Sequence, residues 1–211
     1  LWAGLEPVFV DVEEQSWHLE PTALERALWA RGGSVAAVLA CSTFGVAPSA
    51  AHSRAWEELA RGARVPLLVD SAAGFGALAD DGSMLGSQGD AEVFSFHATK
   101  PFAIGEGGLV TTSDEEIAQR IRRLANFGLE DGVIEGDAGL NAKLPEWSAA
   151  TALAVLDTYE DVLARRRGSA ARMLDALERQ GYQCQSGSDR AAWQFVPVLA
   201  PSVALREAAL E

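Results

Sequence analysis

Lysine is almost absent from this chain: Lys100 and Lys143 are the only two among seventeen basic residues, and arginine meets every other cationic need. A guanidinium stays protonated and cannot form an imine, so any chemistry that requires a primary amine has two candidate side chains. Cysteine is equally scarce. Cys41 and Cys184 have no metal-ligand spacing, which excludes a disulfide framework or a cysteine-rich metal site, and fits a reducing, cytoplasmic setting. No metal is expected. No apolar run approaches a membrane span and no basic-then-apolar leader is visible, so no membrane association is expected. Positive charge is in deficit overall, with a formal net charge of -13 that repels phosphate backbones and argues against nucleic acid as a partner. The one tight basic run, Arg165 to Arg167, lies in a helical pattern and reads as a solvated face. What remains is ordinary for a globular chain: 211 residues, 48% hydrophobic and 22% charged, enough to bury a core.

The chemistry concentrates between Val93 and Thr112. A short apolar strand with Val93, Phe94 and Phe96 delivers Ser95, His97 and Lys100 to a turn, and Gly105, Gly107 and Gly108 let the backbone double back into a second strand. Lys100 therefore stands at the rim of a sheet. Upstream, Val65 to Asp70 is an apolar run ending in a carboxylate, followed by the tiny residues Ser71, Ala72, Ala73 and Gly74. An aspartate at the carboxyl end of a buried parallel strand, with small residues after it, leaves room for a flat ring. The pair suits pyridoxal 5'-phosphate (PLP), whose aldehyde a lysine holds and whose pyridine nitrogen a carboxylate keeps protonated. A surface lysine and a turn or helix-capping aspartate are the plainer alternatives.

Along the chain, Pro7 to Val12 alternates like a strand, Pro21 to Ala30 has helical spacing, and Val35 to Cys41 reads as a strand. His18 falls in the connection, as a loop residue. Pro48 and Ser49 open a helix that turns Trp56, Leu59 and Ala60 inward and stops near Gly62; His52 in its first turns is expected to face solvent. Strand, helix and strand in succession predict a parallel sheet with ligands at its carboxyl edge. Ser113 to Glu116 has the form of a capping box before a helix bearing Ile117, Ile121 and Leu124. Gly128 to Gly139 is a polar, glycine-rich loop of a length that suggests function. Pro145 to Gln180 is a nearly continuous helical pattern divisible at Gly168–Ser169; Trp193 to Leu199 reads as a strand, and a last helix begins after it.

The motifs Ser95-Phe96-His97-Ala98-Thr99-Lys100 and Gly105-Glu106-Gly107-Gly108, with Asp70 upstream, resemble the DegT/DnrJ/EryC1/StrS family of PLP-dependent aminotransferases, mostly sugar aminotransferases. The likeness runs from about Leu1 to the end of the chain and is most specific between Asp70 and Asn141. It implies an α/β, fold-type I transferase with a mostly parallel sheet flanked by helices: a partial PLP-binding large domain over 1–163 and the start of a small α/β domain over 164–211. It further implies Lys100 as the Schiff-base lysine, Asp70 on the pyridine nitrogen, Ser95 on the cofactor phosphate, and Asn141 reaching the phosphate of a neighbouring subunit in a homodimer. Lys143 stands where the family usually has arginine. Ala73 stands where it often has Gln or His near the phenolic oxygen, which leaves the tuning of the ring open. The family's N-terminal phosphate-binding and ring-stacking segment has no counterpart here, and the small domain is cut short.

The expected reaction is transfer of an amino group from an amino acid, glutamate in the first instance, to a nucleotide-linked keto-sugar or a related cyclitol. Family members that dehydrate sugars carry histidine at the position of Lys100, so the lysine argues against them. A shortened, catalytically incompetent chain acting as an interaction or regulatory module is the alternative. A nucleotide-binding doubly wound domain is set aside because no glycine fingerprint opens a helix after the first strand.

Overall fold

The computed structural model describes residues 3–130, 132–134, 136 and 139–210. Its centre is a four-stranded sheet in which spatial order follows chain order: β1 (Val38–Cys41), β2 (Leu67–Asp70), β3 (Ala91–Ser95) and β4 (Gly108–Thr111). The first three strands are parallel, in a register that sets Cys41 beside Asp70 and Asp70 beside Val93. β4 returns antiparallel to β3, with Ser95 opposite Gly108.

One face of this sheet is packed. Val38, Ala40, Leu67 and Val69 meet Leu24, Trp56 and Ala60 from α1 (Pro21–Arg31) and α2 (Ala50–Ala63). Both helices start on side-chain caps. The Glu20 carboxylate accepts the amides of Thr22 and Ala23 ahead of Pro21, and the Ser49 hydroxyl accepts that of His52. The alternate residues Leu39, Cys41, Leu68, Val93 and Val110 point to the other face, which is exposed. The period of two explains both faces: a one-residue step along a strand moves a side chain from α2 to the bare side.

A second core lies at the carboxyl edge, where Phe75, Phe94, Phe96, Phe102 and Tyr159 form a ring cluster with centroids 4.8 to 5.7 Å apart. Beyond the sheet come α3 (Glu115–Ala125), the short strands β5 (Leu129–Glu130) and β6 (Val133–Ile134), α4 (Glu146–Leu156), α5 (Tyr159–Glu178), β7 (Gln183–Cys184), β8 (Val198–Leu199) and α6 (Val203–Leu210). The chain between α5 and β8 reaches back to the beginning. Gln183 Nε2 donates to Glu14 O, Gln185 Nε2 to Ser16 O at 2.6 Å, and Ser186 N to Gln15 O.

Several expectations need correction. Pro7 to Val12 is no strand: it contributes a single bridge, Val12 to Leu19, because no neighbouring strand among the described residues offers it a ladder. β1 begins at Val38 rather than Val35. Asp114, not Ser113, caps α3, its carboxylate accepting the amides of Glu116 and Ile117. The long helical pattern breaks at Asp157–Thr158, where Thr158 leaves helical geometry, while Gly168–Ser169 stay inside α5. Of Trp193 to Leu199 only Val198–Leu199 pairs, with β7. In the loop from Gly128 to Gly139, which contains the β5–β6 hairpin, residues 131, 135, 137 and 138 lie outside the described residues. Arg166 and Arg167 are not a solvated face: they donate to the backbone carbonyls of Trp193, Ala191, Arg190 and Gly76.

The histidines differ too. His18 is in a connection, as expected, but fully buried, its Nε2 donating to Val46 O at 3.0 Å, with Trp56 edge-on and His52 tilted about it. His52 is largely covered rather than solvent-facing. Burial, aided by the His52 charge, lowers the His18 pKa from 6.5 to about 4, against the pull of the Val46 carbonyl and Glu13. The unfolded chain therefore takes up this proton first as pH falls. Stability is full above about 6.5 and is lost towards about 4, by on the order of 3 kcal/mol. Melting curves at pH 7 and pH 4.5 should show a gap that narrows in His18→Gln; an equal gap in both proteins would assign the acid lability elsewhere.

Candidate active site

Three segments meet at the carboxyl edge of the sheet. The first is the end of β2. Asp70 is exposed there, and its Oδ1 accepts the Ala72 amide at 2.9 Å, a turn that an aspartate makes with its own backbone two residues on. Its main chain is locked on both sides, the carbonyl accepting from Ser42 N and the following amide, Ser71 N, donating to Val93 O. The turn after β1 presses on the same loop. A Cβ on Gly45, which has φ +81°, would lie 2.3 Å from the Ala73 carbonyl oxygen, so only glycine admits this approach. Ala73 is thus seated by its backbone, with a methyl group as its only side chain.

Beneath Asp70 runs a buried polar chain that the sequence reading missed. Glu92 in β3 is fully buried; its Oε1 accepts from the Ser71 hydroxyl, and its Oε2 from the amides of Gly86 and Gln88 at 2.7 and 3.1 Å. The Ser42 hydroxyl lies 2.8 Å from that of Ser71 and donates to it, since Ser71 spends its own proton on Glu92. Burial pushes the Glu92 carboxyl above the usual carboxylate range, and the three donors pull against that rise. The residue adjoining Asp70 is therefore fixed from below. A charged residue inside an otherwise apolar strand, between Ala91 and Val93, was the available signal.

The second segment follows β3. The Ser95 amide donates to Ala72 O and its hydroxyl accepts from the His97 amide at 3.3 Å, which ties this residue to the loop after Asp70. Phe96, Phe102 and Ile104 anchor the Lys100 turn in the aromatic core, while Lys100 itself is half-buried. The third segment, after Trp193, brings Gln194, whose Oε1 accepts from Lys100 Nζ at 3.2 Å. No spacing in the sequence announces a contact between residues ninety-four positions apart.

Asp70 and Lys100 act on one neighbour. The Cys41 thiol, beside Asp70 in the sheet register, is pushed up to about 11 by desolvation and by the Asp70 charge, with the Thr43 hydroxyl and the Lys100 charge opposing. Its residue surface is exposed, not buried like a core cysteine, yet the surrounding sheet partly desolvates its sulfur. Cys41 should alkylate about a hundredfold more slowly at pH 8 than an ordinary thiol. Iodoacetamide labelling read by peptide mass would check this, and Asp70→Asn should speed it; ordinary reactivity would mean that the aspartate does not press on Cys41.

Asn141 lies apart. It bridges to Asn126 at the end of α3, is exposed, and its Oδ1 accepts from Lys143 Nζ at 2.7 Å, with that ammonium 4.0 Å over the Phe127 ring. Within the described residues no hydrogen bond joins it to Asp70, Ser95 or Lys100. No group of three or more potential metal ligands occurs among the described residues, and no helix there is long and apolar enough to cross a membrane.

The donor set fits PLP. An exposed carboxylate at a strand end, a half-buried primary amine and a hydroxyl face an edge whose intervening residues, Ala72 and Ala73, fill little space. The sequence model of the DegT/DnrJ/EryC1/StrS aminotransferase family matches residues 1–210. Among curated proteins, Protein Rv3402c of Mycobacterium tuberculosis is 39% identical over 171 residues, covering 79% of this chain and 40% of the relative. The dTDP-4-amino-4,6-dideoxy-D-glucose transaminase of Shigella dysenteriae is 32% identical over 163 residues, covering 77% and 42%. Among solved structures, DesI in the presence of its TDP-sugar product superposes with a TM-score of 0.80 at 34% identity, covering 93% of this chain and 49% of that one. The chain thus spans about two-fifths to half the length of these relatives.

Proposed function

This chain belongs to the DegT/DnrJ/EryC1/StrS aminotransferase family, and from that membership we propose that it carries the lysine and aspartate of a PLP-dependent aminotransferase acting on a nucleotide-linked keto-sugar. The cofactor, when bound, supplies an electron sink that makes the α-proton of an amino acid removable. Lys100 would hold it through its primary amine, and that amine would serve as the base that takes and returns the donor's α-proton. Asp70 keeps the ring nitrogen protonated. Its carboxylate sits on a backbone clamped from both neighbouring strands, with Ser71 held by Glu92, so its position is set before any ligand arrives. Ser95 holds the phosphate, and Asn141 serves the phosphate of a neighbouring subunit in a homodimer.

The placement of Asp70 at the end of β2 and of Lys100 in the turn after the adjacent β3, tied by the Ser95 amide's bond to Ala72 O, carries this reading. The keto-sugar follows from the relatives, which include a dTDP-sugar transaminase and a structure with a TDP-sugar product. Glutamate as the donor, a cytoplasmic location, and a division at 163/164 into a large domain and the start of a small one complete the proposal. The test is to mix the chain with PLP, reduce with borohydride and map the modified peptide. Label on Lys100 supports the reading; a folded chain without label on Lys100 overturns it.

A further inference from the structure

Lys100 does not hang free at the sheet edge. Its Nζ donates to Gln194 Oε1 at 3.2 Å, and an ammonium or amine N–H demands that the carbonyl end of the amide face it. That orientation leaves Gln194 Nε2 to donate, which it does to Thr99 Oγ1 at 3.4 Å. His97 Nδ1 accepts the Thr99 amide at 3.2 Å and so carries no proton; the Thr99 hydroxyl, 2.9 Å away, donates to the same nitrogen. The His97 proton is then on Nε2, which faces Glu106 at 3.5 Å. Three donors run one way: Lys100 to Gln194, Gln194 to Thr99 and Thr99 to His97, with the exposed Glu106 carboxylate at ion-pair distance beyond.

The far side of Gln194 is held as firmly. Trp193, immediately before it, is buried with φ +61°, a backbone state an aromatic residue adopts only under constraint. Arg166 of α5 donates to Trp193 O at 2.7 Å and Arg167 to Ala191 O at 3.3 Å. Helix α5 thus fixes the strap on which Gln194 is presented.

We propose that Gln194 is a positioning residue that parks the free Lys100 amine, its amide orientation set by Thr99 and His97 and its place by Arg166. This rests on the reading of Lys100 as the cofactor lysine. The arrangement offers the amine an acceptor and no competing donor. One N–H is bound to Gln194.

The scarcity of lysine supplies the test. Lys143 hydrogen-bonds Asn141 and is an internal reference in the same molecule. Trace acetic anhydride at fixed pH, with Lys100 and Lys143 peptides quantified by mass spectrometry, gives a reactivity ratio without any cofactor. In Gln194→Leu the ratio should rise by about threefold to tenfold, the worth of one hydrogen bond. In Gln194→Glu it should fall by a similar factor, because a carboxylate holds the ammonium more tightly. Arg166→Ala, which frees the strap without touching Lys100, should shift the ratio as Gln194→Leu does. Loss of packing alone would move both Gln194 variants in the same direction, so an unmoved ratio or a common direction overturns the proposal. The borohydride experiment on the unaltered chain separates the two claims. PLP trapped on Lys100 with an unmoved ratio defeats Gln194 alone; a ratio that moves in opposite directions without trapping defeats the cofactor reading and leaves the contact standing.

Discussion

Lys100→Ala should abolish the proposed amino transfer while leaving the chain folded. Loss of the anchor and of the proton-moving amine together should lower turnover by more than about a thousandfold, since positioned acid–base groups alone contribute up to about four orders of magnitude. The fold should lose no more than about 1 kcal/mol, because Lys100 is half-buried and gives up one hydrogen bond, to Gln194. Turnover with glutamate and a nucleotide-linked keto-sugar, measured beside a thermal melt, checks both halves. Substantial remaining transfer would remove Lys100 from the mechanism.

Trp56→Ala has the largest effect on stability. Trp56 is fully buried between α1, α2 and the sheet, its Nε1 donates to Leu19 O at 2.9 Å, and His18 and His52 pack edge-on at 6.1 and 6.0 Å. Truncation leaves a cavity and an unpaired carbonyl. The expected loss is about 4 kcal/mol, a fall in Tm on the order of 10 °C for a chain of this size. Trp29→Ala and Trp147→Ala, at exposed positions, should each stay within about 0.5 kcal/mol. A melt of all three separates burial from tryptophan content, and equal losses would contradict the packing described.

The parts legible in the sequence were those whose determinants are local. Leu67 to Asp70 and the Lys100 turn announced themselves by short apolar runs, glycine and a terminal charge, and the sheet placed them together at its carboxyl edge. Ser49 before α2 was likewise readable as a cap. Gln194 was not, because its role depends on where α5 puts a strap far along the chain. Glu92 was hidden by its apolar neighbours, although its charge was in plain view. Pro7 to Val12 shows the opposite error, since alternation describes a strand only where a neighbour supplies the ladder. Arg166 and Arg167 misled for a related reason: long cationic side chains reach backbone carbonyls that no periodicity foretells.

The order of the sheet has a consequence for how the chain acquires its shape. Each strand pairs with the one made just before it, so β1 to β4 can assemble in chain order, with no pairing that waits for a distant strand. The segment from Glu14 to Ser16 is different. Its carbonyls wait for Gln183, Gln185 and Ser186, about 170 residues later, so the earliest part of the described chain is among the last to be fastened.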